Sequence, residues 1–280
     1  MRRFWTGVTL GLTLLTVAGC DNDRAVKQQL EAVNAVDAAD LSDVMLTVAD
    51  PNEAVRFFQR TSAEQPGKID YIRGLAKSQV RAGRSIEAVS TWTKVVAHPE
   101  ATNEDRVGLA DANIRANQWD QARVALDAIP PTFETYDRYR LEAMVADSAK
   151  DWTRADSFYE IAVGLTTQPA SVLNNWGYSK LTRGKYSEAE QLFLQSLKND
   201  QSRFTVKNNL ILARAAQGNY AMPVMQMTQS EKAELLHTLG LSAVKRGDVN
   251  TAKQLFREAV ETHPQYFEAA VRSLEALENS

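Results

Sequence analysis

Apolar residues along most of this chain recur at intervals of three and four residues. That spacing is typical of one face of an α-helix, whereas a half-buried strand alternates apolar and polar positions. Glycine and proline are few, 13 and 8 of 280 residues, so long segments run without a helix breaker. The pattern predicts an all-α chain of short amphipathic helices joined by turns.

The amphipathic segments repeat with a fixed period. Aligning the most regular stretch, residues 170–203, on its neighbours gives intervals of 34, 34, 33, 34, 34 and 29 residues between repeat starts. The seven repeats start at Ala35, Ile69, Asn103, Tyr136, Ala170, Phe204 and Ala233.

Small and bulky residues occupy fixed positions within this period. A small residue at positions eight and twenty lets two helices approach closely, and a bulky residue at position twenty-four fills the space between repeats. Glycine recurs at position fifteen, which suits the end of a helix. Position twenty holds Ala54, Ala88, Ala122, Ala155, Ala189, Pro223 and Ala252; position twenty-four holds Phe58, Trp92, Leu126, Tyr159, Phe193, Met227 and Phe256.

This period and these small residues resemble the tetratricopeptide repeat (TPR). The resemblance implies an all-α, right-handed superhelical solenoid of antiparallel helix pairs. We expect residues 20–34 to be a tether or N-terminal helix, residues 35–266 to be an array of about seven repeats, and residues 267–280 to be a capping helix. Each hairpin has too little core alone, so stacking buries the apolar faces.

The sixth repeat departs from the pattern. Pro223 stands where its second helix should run, and an interior proline costs a helix about 3 kcal/mol. We therefore expect an extended strap over residues 219–229, rich in Met and Tyr. Its side chains either fill the gap left by the missing helix or form an adaptable contact surface for a partner; the packing interpretation is favoured.

The first twenty residues have the pattern of a secretion signal with an anchor. A cationic start precedes 16 uncharged residues, too few to span a bilayer, which takes roughly 20. Residues 15–20, Leu-Thr-Val-Ala-Gly-Cys, resemble the lipobox of bacterial lipoproteins. That resemblance implies cleavage after residue 19 and lipidation of Cys20. Asp21 resembles an inner-membrane retention signal of enteric bacteria, a rule that is not general, so the outer membrane is still favoured.

Charge and motifs exclude several functions. The net charge is −3 and gives no general reason to bind nucleic acid. The chain has no hydrolase, zinc-protease, phosphate-loop or dinucleotide motif, and only three isolated histidines. We therefore expect no enzyme activity, no cofactor and no metal. The tryptophans of the repeats, Trp92, Trp119, Trp152 and Trp176, recur at framework positions and are expected to be core.

A stacked array offers a groove lined by positions two, five, six, nine, twelve and thirteen of each first helix. An asparagine amide can both donate to and accept from a peptide backbone, which suits sequence-tolerant binding. Paired asparagines recur 34 residues apart in this register, although asparagine is also common there without a ligand. Basic residues could attract an acidic segment or could simply be solvated. The candidate binding residues are Asn174, Asn175, Tyr178, Asn208, Asn209, Arg73, Lys77, Arg81 and Arg140.

Residues 172–178, Val-Leu-Asn-Asn-Trp-Gly-Tyr, together with residues 208–210 and 217–220, resemble TadD proteins. TadD proteins are TPR lipoproteins of the Flp (Tad) type IV pilus assembly system, and the resemblance extends over residues 172–279. It implies a non-enzymatic, lipid-anchored, pilotin-like adaptor that faces the periplasm and binds a secretin or another pilus-assembly component. The alternative is an envelope TPR lipoprotein that acts as a scaffold for outer-membrane protein insertion or for peptidoglycan enzymes.

Overall fold

The computed structural model describes residues 41–279, and all regular structure within them is helical. Residues 41–47 are helical, and thirteen complete helices follow. They are α1 (Pro51–Glu64), α2 (Ile69–Arg81), α3 (Ser85–Val96), α4 (Asn103–Arg115), α5 (Trp119–Asp127), α6 (Tyr136–Ser148), α7 (Trp152–Gly164), α8 (Ala170–Thr182), α9 (Tyr186–Asn199), α10 (Phe204–Ala216), α11 (Gln229–Lys245), α12 (Val249–Thr262) and α13 (Glu268–Glu278).

The chain divides into two compact units, with the boundary after Arg84. In the first unit α1 packs against α2. The ring of Phe58 lies over Gly74, where an added Cβ would be 2.3 Å from the ring. Arg81 donates to the backbone carbonyls of Met45 and Ala49, each at 2.9 Å, and so fixes the end of the preceding helical segment.

In the second unit, from Ser85 onward, each helix contacts the one that follows it. The first helices of successive repeats also contact one another: α4 with α6, α6 with α8, and α8 with α10. Such stacking of antiparallel pairs, in which each repeat touches its neighbours, is a solenoid. The predicted all-α TPR architecture is confirmed.

The helix pairs dock through the small residues that the sequence singles out. The alanines at position twenty that lie in helices are fully buried, and the bulky residues at position twenty-four in those repeats are at most 4% exposed. Ala189 and Phe193, for example, belong to one hydrophobic cluster with Leu210 of the next repeat. Here close approach of helix backbones, rather than long side chains, sets the packing distance.

Position fifteen has the same left-handed backbone in repeats two to seven. The four glycines there have φ between +72° and +80°, and Asn117 and Lys150 occupy the same position with φ of +59°. Only glycine adopts this left-handed conformation without steric cost. The turn geometry is therefore a property of the repeat, and two repeats achieve it with a side chain in place.

The sixth repeat consists of α10 followed by a segment without helix up to Thr228. Tyr220, Met222, Met225 and Met227 are partly buried against the core cluster of the last repeats. This contact favours the interpretation in which the strap fills the place of the missing helix. Thr228 then caps α11 in a capping box with Glu231. The helix therefore begins four residues before the aligned start of repeat seven.

Helix α13 covers the end of the array. Ala270 is fully buried, and Leu274 and Leu277 pack against the same cluster as the strap. The predicted signal segment (residues 1–19), Cys20 and the tether (residues 20–34) lie outside the described residues, as does the start of repeat one at Ala35. Among residues 41–279 none of the helices combines the length and apolar character that crossing a bilayer requires.

Candidate functional site

A cavity of about 510 Å³ opens on the face formed by the first helices α6, α8 and α10 of repeats four, five and six. We call it the first-helix pocket. Its lining residues are Trp119, Met144, Asp147, Ser148, Trp152, Tyr159, Asn174, Asn175, Tyr178, Ser179, Thr182, Thr205 and Asn209.

The register of the repeats determines which first-helix side chains line the pocket. In α6, α8 and α10 the lining residues occupy positions two, five, six, nine, twelve and thirteen, and in addition Ser179 at position ten. Each of the six positions expected to face the groove therefore contributes at least one lining residue. Four of the candidate residues, Asn174, Asn175, Tyr178 and Asn209, are brought together here.

The polar end of the pocket centres on Asp147. One carboxylate oxygen accepts from the hydroxyl of Ser179 at 2.7 Å, and the other accepts from the hydroxyl of Tyr159 at 2.9 Å. Burial raises the pKa of Asp147 above its usual range, although both hydroxyl bonds act against the rise. Burial also raises the pKa of Tyr159, and the neighbouring Asp147 raises it further. Asp147 is therefore an ionisable group held by neutral hydrogen-bond donors.

Asparagine amides form a second polar row. Asn209 is 7% exposed and donates from Nδ2 to Oδ1 of Asn174 at 3.0 Å. Asn175 points its Nδ2 at the sulfur of Met144, 3.7 Å away. This row links α8 to α10 and α6. Asn208 faces elsewhere: its Oδ1 accepts from the hydroxyl of Thr238 at 3.0 Å, and it does not line the pocket.

Aromatic side chains form the walls of the pocket. They correct the expectation that the tryptophans of the repeats are all core. Trp92 is core, as expected, at 4% exposed. Trp152, however, is 36% exposed and lines the pocket, as does Trp119, so these two indoles are not simply core. Each stands at the start of a second helix. Tyr178 is 53% exposed at the same wall.

A network of ion pairs holds α7, the helix that carries Trp152, against α8. Asp156 on α7 accepts from the indole of Trp176 at 2.7 Å, from Lys180 at 3.0 Å and from Arg183 at 2.6 Å. Burial alone would raise the pKa of Asp156, but these three donors outweigh it and hold the pKa at about 2. The guanidinium of Arg183 also lies over Trp152, 5.2 Å from its ring centre. The network therefore ties α7 to α8 next to Trp152.

The basic candidates lie outside this pocket. Arg140 is paired with Asp111 at 3.6 Å and with Asp137 at 3.4 Å. In the first unit Arg73 is paired with Asp70 at 2.9 Å, Arg81 binds backbone carbonyls, and Lys77 is exposed. The prediction that these residues attract an acidic segment stays a prediction. Among residues 41–279 there is no cluster of three potential metal-binding side chains.

Comparison with known proteins agrees with this architecture. Two family profiles, both described as tetratricopeptide repeats, match residues 174–221 and residues 234–266. This is the tetratricopeptide-repeat fold. The first profile includes every residue that α8 and α10 contribute to the pocket. Proteins with this fold act as interaction scaffolds, and the matching profiles include no enzyme family.

Solved structures show the same fold at low identity. A chain of the APC/C hetero-tetramer Cut9-Hcn1 is 13% identical, with a TM-score of 0.59 over 84% of this chain and 48% of that one. A tetratricopeptide-repeat protein from Parabacteroides merdae is 13% identical, with a TM-score of 0.56 over 86% and 97%. Pseudomonas aeruginosa PilF is 19% identical, with a TM-score of 0.45 over 63% of this chain and 85% of that one. No curated protein sequence matches the chain.

Sequence reasoning missed Asp147, Trp119 and Trp152 as pocket residues. Asp147 stands at position twelve of its repeat, a position already assigned to the groove, so the register alone pointed to it. Trp119 and Trp152 begin second helices, and their partial exposure depends on how closely the neighbouring repeat packs. No spacing rule predicts that packing.

Proposed function

We propose that this protein is a non-enzymatic, lipid-anchored adaptor that holds an extended segment of a partner protein in the first-helix pocket. The proposal places it, as a pilotin-like factor, in assembly of the Flp (Tad) pilus, with a secretin or another assembly component as the partner. Four observations support the proposal: the TPR fold, the pocket, the resemblance of residues 15–20 to a lipobox, and the resemblance of residues 172–279 to TadD.

The pocket is the observation on which the binding function depends. Asn174, Asn175 and Asn209 present amides on adjacent helices, and the walls next to them are aromatic. Amides can bond to a peptide backbone whatever its sequence, while aromatic walls bind side chains. A volume of about 510 Å³ accommodates a few side chains of an extended segment, not a folded surface.

The membrane anchor is a separate part of the proposal. If Cys20 carries at least two acyl chains, the protein is retained stably, because each buried methylene contributes about 0.8 kcal/mol. Cys20→Ser should release the protein from the membrane fraction and leave its thermal unfolding unchanged. Fractionation followed by immunoblotting measures the release. Retention of the serine variant would contradict lipid anchoring, and membrane separation on a density gradient would distinguish outer from inner membrane.

Partner binding is tested by co-purification from detergent-extracted envelopes of the native host. We expect the wild-type protein to recover a secretin or another pilus component, and Tyr178→Ala to recover much less. Tyr186→Ala is the matched control, because Tyr186 is a comparably exposed tyrosine at the start of α9 outside the pocket. Recovery of outer-membrane insertion factors or cell-wall enzymes instead would favour the envelope scaffold. Equal recovery by both tyrosine variants would contradict the pocket as the binding site.

A further inference from the structure

The side chains that line the first-helix pocket include an acidic group but no basic group. Among its lining residues, all of which lie in the described part of the chain, Asp147 is the sole carboxylate, and none is Lys, Arg or His. The partners of Asp147 are the neutral hydroxyls of Ser179 and Tyr159. Arg183 is the cation whose charge lowers the pKa of Asp147, and it is already bonded to Asp156 through both terminal nitrogens, at 3.1 and 2.6 Å.

This arrangement discriminates among occupants. An acidic side chain would be repelled by Asp147. An apolar side chain would strip water from a carboxylate that keeps unused acceptor capacity, since a carboxylate has about four acceptor sites and two are taken. A basic side chain avoids both costs because its charged head supplies the missing counter-charge.

The walls suit the rest of a basic side chain. The stem of Arg or Lys is aliphatic and can lie on Met144 and on an aromatic ring while the head reaches a carboxylate. Arginine has the further advantage that its planar guanidinium stacks on aromatic faces. The chain itself contains such a pair, because Arg183 lies over Trp152 at this same wall.

We propose that the first-helix pocket is specific for a basic side chain, arginine before lysine, of the partner's extended segment, with Asp147 as its counter-charge and Trp152, Tyr178 and Met144 around its stem. This specificity rests on the proposed peptide-binding function and adds the chemical class of the residue bound. It also reverses the preference for an acidic segment that the scattered basic residues suggested, because those residues are paired or lie outside the pocket.

The test uses full-length protein in detergent as bait for random 12-residue peptides displayed on phage. We expect the selected peptides to share one position at which Arg or Lys is enriched about tenfold. Asp147→Asn should abolish this enrichment. For one selected peptide we expect Kd to rise about tenfold with Asp147→Asn, about tenfold with Arg→Gln in the peptide, and little further when both changes are combined. Glu160→Gln, which removes one exposed carboxylate from α7 outside the pocket, is the control and should leave Kd unchanged.

Folding of the variant is checked by its thermal midpoint, and Tyr178→Ala gives an independent readout at a half-exposed wall position. It should weaken the arginine peptide about fivefold, whereas Tyr178→Phe should not. Selected peptides without a basic position, still dependent on Tyr178, would overturn the specificity and leave the peptide-binding function standing. Equal binding by Asp147→Asn and wild type would do the same. Failure to select any pocket-dependent peptide would contradict both.

Discussion

Lys150 turns from α6 into the second helix of repeat four with φ of +59°, where four other repeats have glycine. A side chain in this conformation costs roughly 1–2 kcal/mol. Replacing it by glycine removes that cost but adds the entropy that glycine loses on folding, about 0.5–1 kcal/mol. Lys150→Gly should therefore stabilise the protein by about 0.5–1 kcal/mol, which raises the thermal midpoint of an array of this size by about 1–4 °C.

Urea unfolding followed by circular dichroism measures the difference. Lys150→Ala is the matched control, since it removes the same charge near a helix C-terminus and keeps the strained backbone. Asn117→Gly should not stabilise, because its Oδ1 accepts from the indole of Trp119 at 2.7 Å and glycine loses that bond. If Lys150→Gly were no more stable than Lys150→Ala, the left-handed turn at position fifteen would not be a source of strain.

Gly177→Ala should destabilise the protein by about 1–3 kcal/mol, because the added Cβ would lie 2.7 Å from the ring of Phe193. Gly164→Ala is the control and should be neutral or slightly stabilising, because an added Cβ there has nothing within 4 Å. Thermal melts compare the two variants, and equal midpoints would refute the close contact. Asp156 has a folded pKa of about 2 against an ordinary 3.8, so the stabilisation it contributes, roughly 1 kcal/mol for a solvent-screened group, is present above pH 4 and is lost as the pH falls toward 2. The advantage of wild type over Asp156→Asn in urea unfolding should shrink over that range, and a constant advantage would contradict the ion network.

Much of the fold follows from sequence alone because close helix packing restricts residue size at fixed intervals. The alanines at position twenty reveal the register, and the register reveals which side chains face each other. The docking of the aromatic rings does not follow in this way. Phe58 packs on a glycine of the next repeat's first helix, whereas Phe193 packs on Gly177 of its own repeat. The helix against which each ring packs depends on which neighbouring residue lacks a Cβ. The consensus pattern of the repeat does not specify that residue.

The site was predictable in outline for the same reason. Positions five, six and nine of α8 line the pocket, so Asn174, Asn175 and Tyr178 could be named from spacing. Spacing was not sufficient elsewhere, because Arg140 and Asn208 also hold position five and do not line it. Charge pairing is different because it depends on the reach of long side chains between helices. Arg140 forms an ion pair with Asp111 of the preceding repeat, 29 residues earlier, and the local sequence does not predict that pair.

The most direct measurement of the central claim is site-specific photocrosslinking in the native envelope. A benzophenone amino acid replaces Tyr178 at the pocket wall, or Tyr186 outside the pocket as the reference position. We expect one discrete adduct at position 178, identified by mass spectrometry as a secretin or pilus-assembly protein, and none at position 186. Absence of an adduct at position 178, or the same adducts at both positions, would contradict that claim.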